Sequence, residues 1–251
     1  MLWVSLWCGM VSGVHAASLT IAAASDLKFA MDEVVRAFAR AQPKHQVNVV
    51  YGSSGKFLAQ IQQAAPFDMF FSADIAYPQA LVQAGLAATD VQPYAVGRLV
   101  IWSASMDASK MTLNALLDPN IKRIAIANPQ HAPYGKRAQE ALQAAGIWTQ
   151  VQHKLVYGEN IAATAQYVQT GNAQVGLIAL SLALSPVLAQ QGGHALVDAR
   201  LHEPLEQGFV ITQRAAANPA ARSFAAFMAS PAARSIMNRH GFVLPQKKVG
   251  G

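Results

Sequence analysis

The stretch QVNVVYGSSGKFLAQI, residues 46–61, changes its period halfway along, and that change decides the fold. Up to Gly52 it is a β-like run rich in valine. From Phe57 onward, Phe57, Leu58 and Ile61 recur at the three- and four-residue spacing of an amphipathic helix. Between the two halves, Gly52-Ser53-Ser54-Gly55-Lys56 places two hydroxyls, two glycines and a lysine at a strand-to-helix join. Such a join suits an anion, because a helix start offers unpaired N–H groups and a partial charge of about +0.5. A nucleotide-phosphate loop is excluded. With Gly55-Lys56 as its G-K pair, G-x-x-x-x-G-K-[ST] needs glycine where Val50 stands and a hydroxyl where Phe57 stands.

The same alternation runs along the chain. Strand-like runs are expected at 18–24, 46–52, 68–73, 98–104, 123–128, 174–180 and 207–212, with helical spacing between them. Leu27, Met31, Val34, Val35 and Phe38 mark one helix packed on a sheet. Strands alternating with helices imply parallel βαβ units and an α/β fold. QRAAANPAARSFAAF, residues 213–227, reads as helix with a break at Pro219. Three further joins resemble the first: Ser25 follows one strand in TIAAASDL, a helix starts near Pro133 and Tyr134, and another near Asn160 and Ile161. In open α/β sheets the ligand crevice lies beyond the carboxyl ends of the strands. Ser25 and Ser54 are therefore either ordinary N-caps, worth about 1 kcal/mol each to their own helices, or donors to a bound anion.

Composition bounds the rest. With 251 residues, 53% hydrophobic and 13% charged, the chain has ample material for a core and is not a disordered polymer. The first sixteen residues, MLWVSLWCGMVSGVHA, are apolar, lack Asp, Glu, Lys and Arg, and end in the small-x-small pattern Val14-His15-Ala16, which reads as a secretory signal peptide cut before Ala17. A retained anchor is the alternative, since the basic start of such a leader is missing. Cys8, the only cysteine, lies within this segment, so the mature chain would have neither disulfide nor catalytic thiol. The net charge of +6 comes from basic residues spread along the chain with no run of five, which argues against a nucleic-acid stripe and leaves a basic surface that attracts anions.

Catalytic patterns fail on inspection. Neither Ser53 nor Ser54 has glycines two residues to both sides, as a G-x-S-x-G nucleophile elbow requires. The histidines show no H-E-x-x-H or paired spacing for zinc, and His131 reads as a turn or lobe-edge residue. Asp68 and Asp74 flank MFFSA, but Asp68 reads as a strand start and Asp74 as the cap of a helix near Ala76. Phe67, Phe70 and Phe71 read as core rather than a base-stacking platform.

In order and spacing, AAASDL, Y-G-S-S-G with Gln60-Ile61 following, APFDMFFSAD at 65–74, the N-P-x-H-x-P-x-G stretch at 128–135, GENI at 158–161, QVGLIALS at 174–181 and RHGFVLP at 239–245 resemble the periplasmic molybdate-binding proteins of ABC transporters. The resemblance covers essentially the whole mature chain. It implies a type II periplasmic binding fold, with lobe one formed by residues 17–97 and 208–251, lobe two by residues 98–207, and crossings near Tyr94–Arg98 and Glu206–Phe209. The lobes would close as a hinge on a tetrahedral oxyanion, with no catalysis and no cofactor, and the protein would act as a periplasmic monomer that delivers molybdate or tungstate to a membrane permease. It further implies ligand contacts from the Ser25 and Ser54 hydroxyls and from N–H groups at Tyr134 and Ile161, with Asp26, Ser53 and Pro133 beside them. Many members carry a tyrosine where this chain has Ala179, and Tyr134 is the candidate to supply that hydroxyl.

The chemistry suits that implication. Molybdate at neutral pH carries two charges and no proton, so hydroxyl and N–H donors fit it, whereas a carboxylate would repel it. Lys56 is expected as a solvated lysine at the cleft rim, and Arg98 as a contact where the lobes meet. A sulfate- or phosphate-type receptor is the alternative among binding proteins. A secreted serine hydrolase using Ser54 is the alternative among enzymes.

Overall fold

The computed structural model describes residues 18–245. The leader and Cys8 lie outside them. Ten strands form two five-stranded sheets. The first contains β1 (Ser18–Ala24), β2 (Gln46–Gly52), β3 (Met69–Ser72), β4 (Gln92–Gly97) and β10 (Leu205–Ile211), in the order β2-β1-β3-β10-β4. The second contains β5 (Leu99–Ser103), β6 (Ile124–Ala127), β7 (Leu155–Gly158), β8 (Val175–Ala179) and β9 (Gly193–Leu196), in the order β7-β6-β8-β5-β9. The helices are α1 (Lys28–Ala41), α2 (Ser54–Gln62), α3 (Ala76–Gln83), α4 (Pro133–Ala144), α5 (Trp148–Val151), α6 (Ile161–Gln169), α7 (Leu180–Ala183), α8 (Pro186–Gln191), α9 (Pro219–Met228) and α10 (Pro231–Arg239).

All seven expected strands are present. The three that sequence missed, β4, β7 and β9, all lie at the edges of their sheets. An edge strand needs only one hydrogen-bonded side, so β4 tolerates Pro93 and β9 suffices with four residues. The expected parallel pattern holds for β1 with β2 and β3, and for β6 with β7 and β8. It fails for β10 with β3 and β4, and for β5 with β8 and β9, which are antiparallel. Pro219 does not break a helix. It opens α9 at its first position behind an Asn218 cap, where a missing N–H costs nothing.

Alternation along β1 and β3 assigns the helices to faces. Leu19, Ile21, Ala23, Met69 and Phe71 pack against α1, α9 and α10, while Ala22 and Phe70 pack on the other side with Phe57 and Ile61 of α2 and Leu81 of α3. The chain leaves β1 for β2 on one side and reaches β3 on the other. Strand order therefore reverses at the carboxyl end of β1. The second sheet repeats the device, with β7 and β8 flanking β6. Such reversal points splay the following helices apart and leave a crevice between them.

The two sheets are joined closely. Arg98 alone separates β4 from β5, and Leu205 pairs with Gly97 in the first sheet while packing in the core of the second. Among the described residues, no helix is long and apolar enough to cross a membrane.

Candidate functional site

The two reversal points face each other across one small cavity lined by Ser25, Ser54, Tyr134 and Ile161, together with Asp26, Ser53, Pro133 and Asn160. Sequence named these residues as contacts or their neighbours except Asn160, which it read only as a helix start; Ala24, Gly52, Ala73 and Ala132 complete the lining and were not singled out. Ala179 stands apart: it is buried at the end of β8 opposite Leu99 and does not line the cavity. With a volume of about 10 Å³, room for about one water, the cavity excludes a sugar, nucleotide or peptide.

The serines do not serve their own helices. Ser25 lies in a 3-10 turn ahead of α1, whose cap position is Leu27, and makes no capping bond. Its hydroxyl instead crosses the cleft, donating to Asn160 Oδ1 at 3.1 Å and accepting from the Ala162 N–H at 3.2 Å. Asn160 Oδ1 also accepts from the Ala163 N–H, so it caps α6 and stays satisfied if Ser25 turns its hydrogen elsewhere. Ser54 is the first residue of α2 and accepts from the Ala73 N–H at 3.1 Å. Among the described residues its hydroxyl hydrogen has no acceptor.

The second lobe contributes backbone donors. Pro133 and Tyr134 open α4, and Ile161 opens α6 behind Asn160, so the Tyr134 and Ile161 N–H groups fall in first turns that have no partner within their own helices. The Tyr134 hydroxyl points away toward the inter-sheet strands: it accepts from Gln207 Nε2 at 3.4 Å and sits where a Cβ on Gly97 would come within 2.2 Å of it. Burial, then the neighbouring Asp26 carboxylate, holds this phenol well above the usual tyrosine range.

Asp26 is 1% exposed. Its Oδ2 accepts from Gln207 Nε2 at 2.7 Å, and Gln207 in turn accepts at Oε1 from the Tyr94 hydroxyl at 2.7 Å. Burial pushes the carboxyl up to about 6, against the opposing pull of Gln207, Tyr134 and the N–H groups of Asp26 and Leu27. Gln207 and Tyr94 carried no sequence signal, since single polar residues in strands look alike until the fold brings them together.

The cleft rim is held by other contacts. The Ser53 hydroxyl donates to the His131 carbonyl and lies 3.0 Å from His131 Nδ1, and the Gly55 N–H donates to the same carbonyl at 2.9 Å. A Cβ on Gly55 would come within 2.6 Å of that oxygen, so this close approach requires glycine. Lys56 pairs with Glu159 across the rim at 3.0 Å and is 45% exposed, outside the lining. Asp68 accepts from the Thr20 N–H and pairs with Arg214, while Asp74 caps Ala76 and pairs with Arg137. Both carboxylates are thus engaged structurally. Among the described residues no group of His, Cys, Asp and Glu could hold a metal ion.

Hydroxyl and N–H donors converging on a small cleft between two joined α/β lobes define the class: a solute-binding protein with the type II periplasmic binding fold. Residues 19–243 match the family model for bacterial extracellular solute-binding proteins, and the chain belongs to that family. It is 37% identical to the molybdate-binding protein ModA of Rhodobacter capsulatus, over 79% of this chain and 78% of that protein. It is 34% identical to ModA of Azotobacter vinelandii, over 96% of each. The solved structure of the periplasmic molybdate-binding protein of Azotobacter vinelandii superimposes with a TM-score of 0.85 at 31% identity, covering 91% of this chain and all of that one. The family and these relatives are named for binding, not catalysis.

Proposed function

We propose that the chain captures molybdate, and tungstate with it, in the cleft between its lobes and delivers the ion to the permease of an ABC transporter. The observation that carries this reading is the donor set: uncharged hydroxyl and N–H groups from both lobes meet at one small cavity. The Ser25 and Ser54 hydroxyls and the Tyr134 and Ile161 N–H groups hold the oxygens, with Ser53 and Pro133 behind them. The names of its relatives supply the ion. Lobe one then comprises residues 17–97 and 208–251 and lobe two residues 98–207, with the leader removed after Ala16 and the mature monomer in the periplasm. Calorimetry with molybdate, tungstate, sulfate and phosphate tests this. Saturable 1:1 heat with the first two and weak or absent heat with the others is expected; heat from sulfate alone would move the chain to a sulfate-type receptor.

A further inference from the structure

A dianion site lined by a buried aspartate poses a problem, since an ionised carboxyl so near would repel the ion. The groups packed around Asp26 are the Gln207 amide on β10, the Tyr134 hydroxyl on α4, the Tyr94 hydroxyl on β4 and the Ser181 hydroxyl on α7, which donates to the Asp26 main-chain oxygen at 2.8 Å. None is a cation that would keep the carboxyl ionised. Gln207 is fixed in orientation because its Oε1 is taken by Tyr94, so its Nε2 must face Asp26 Oδ2. The other oxygen, Oδ1, is buried with no well-formed hydrogen bond, although the Tyr134 hydroxyl and the Asp26 and Leu27 N–H groups lie beside the carboxyl. A bare carboxylate oxygen in that position is costly, whereas an O–H there is a donor.

We propose that Asp26 receives the oxyanion as a neutral carboxyl with its proton on Oδ1, so that capture of the ion takes up a proton and the cleft favours anions that carry none. This deepens the reading of the cleft as an oxyanion site and rests on it. Hydrogen phosphate would require the opposite state, an ionised Asp26 accepting the ligand's proton. Molybdate and sulfate need a donor.

The linkage has a definite sign. In the free protein burial sets the carboxyl near 6, so it is already neutral at pH 5 and ionised at pH 8. The incoming dianion raises it further. Affinity is therefore greatest below pH 6 and falls about tenfold per pH unit above it, about 100-fold between pH 5 and pH 8, until the pKa of the complex is reached. Molybdate itself remains unprotonated over the upper part of this range, and sulfate over all of it.

The experiment is calorimetry of the full mature chain with molybdate, sulfate and phosphate from pH 5 to pH 8, in pairs of buffers with different ionisation enthalpies. Proton uptake near zero at pH 5 and approaching one per ion at pH 8, with the matching loss of affinity, is the expected result. Asp26→Asn should abolish the uptake and flatten the profile. If that variant fails to fold, the parent's proton count still decides. Tight molybdate binding with no uptake and a flat profile would overturn the proposal while leaving the oxyanion site intact. Preferred binding of hydrogen phosphate at pH 8 would also overturn it. No heat from any oxyanion at any pH would remove the site itself.

Discussion

Replacing Ser25 and Ser54 by alanine, singly and together, isolates the hydroxyls from the rest of the cleft. Ser54 has a free hydrogen to give, and Ser25 has one that it can withdraw from Asn160 without orphaning an acceptor. Each hydroxyl therefore stands to make one bond to a charged acceptor, worth about 1.5–3 kcal/mol, or roughly 10- to 150-fold in affinity. The double variant should lose about 3–6 kcal/mol if the two add. Both substitutions also strip an acceptor, from the Ala73 N–H in one case and the Ala162 N–H in the other. Stability must therefore be measured alongside binding, by calorimetric titration and denaturant unfolding without ligand. A double variant that stays folded and binds molybdate within threefold of the parent would refute the donor assignment.

Four further outcomes follow from the same geometry. Asp26→Asn should stabilise the ligand-free protein at pH 8 by up to about 3 kcal/mol and by little near pH 4. The sign follows because a carboxyl raised from 3.8 to about 6 gives stability below its unfolded value that is lost as pH rises through its folded value; denaturant midpoints against pH check it. Gly97→Ala puts a Cβ 2.2 Å from the Tyr134 hydroxyl and 2.7 Å from Gln207 Nε2, so it should cost about 1–3 kcal/mol in thermal unfolding and weaken ion binding. Lys56→Ala should change oxyanion affinity less than threefold and stability by less than about 0.5 kcal/mol, because its pair with Glu159 is exposed; a larger affinity loss would make Lys56 a ligand. Ile161→Pro removes one N–H at the first position of α6, behind an extended Asn160 that suits a following proline, and should cost about 10- to 150-fold in affinity while α6 persists by circular dichroism.

Sequence revealed what is local. Ser25, Ser54, Tyr134 and Ile161 were legible because each follows a strand and opens a helix, so its place at a carboxyl edge is fixed by neighbours a few residues away. What Ser25 and Ser54 do there was not legible: both read equally well as caps, and only their partners at Asn160 and Ala73 separate the readings. Asp26 and Gln207 meet across 181 residues, and no period or motif encodes such a pairing. Three of the four edge strands were hidden for a different reason: having one bonded side, β4, β7 and β9 are under weaker pressure toward β-branched, alternating sequence. The antiparallel β10 was visible as a strand, but its direction depends on which lobe the chain returns from.

On the proposed function, the contacts between the lobes must form on capture and break on release. The bonds between the two halves include Ser25 with Asn160 and Ala162, Ser53 and Gly55 to His131, Ser181 to Asp26, the largely buried Arg137–Asp74 pair and the exposed Lys56–Glu159 pair. Neutral bonds of this kind contribute about 0.5–1.5 kcal/mol each and the exposed pair less, and the Arg137–Asp74 pair is the one charged contact largely withdrawn from water, so these contacts set the cost of opening. A ligand shifts that equilibrium only by its differential affinity for the two states. On the proposed site, an ion held first by Ser25 and Ser54 gains the Tyr134 and Ile161 N–H groups only when the lobes meet. Two such bonds amount to about 3–6 kcal/mol, and moving a population from 1:99 to 99:1 takes about 5.5. The second-lobe helix starts therefore supply most of the closing free energy, and all of it at the upper end of that range, so Ile161→Pro should leave the loaded protein measurably more open by small-angle scattering, whereas Ser54→Ala should weaken capture without changing the shape of the saturated complex.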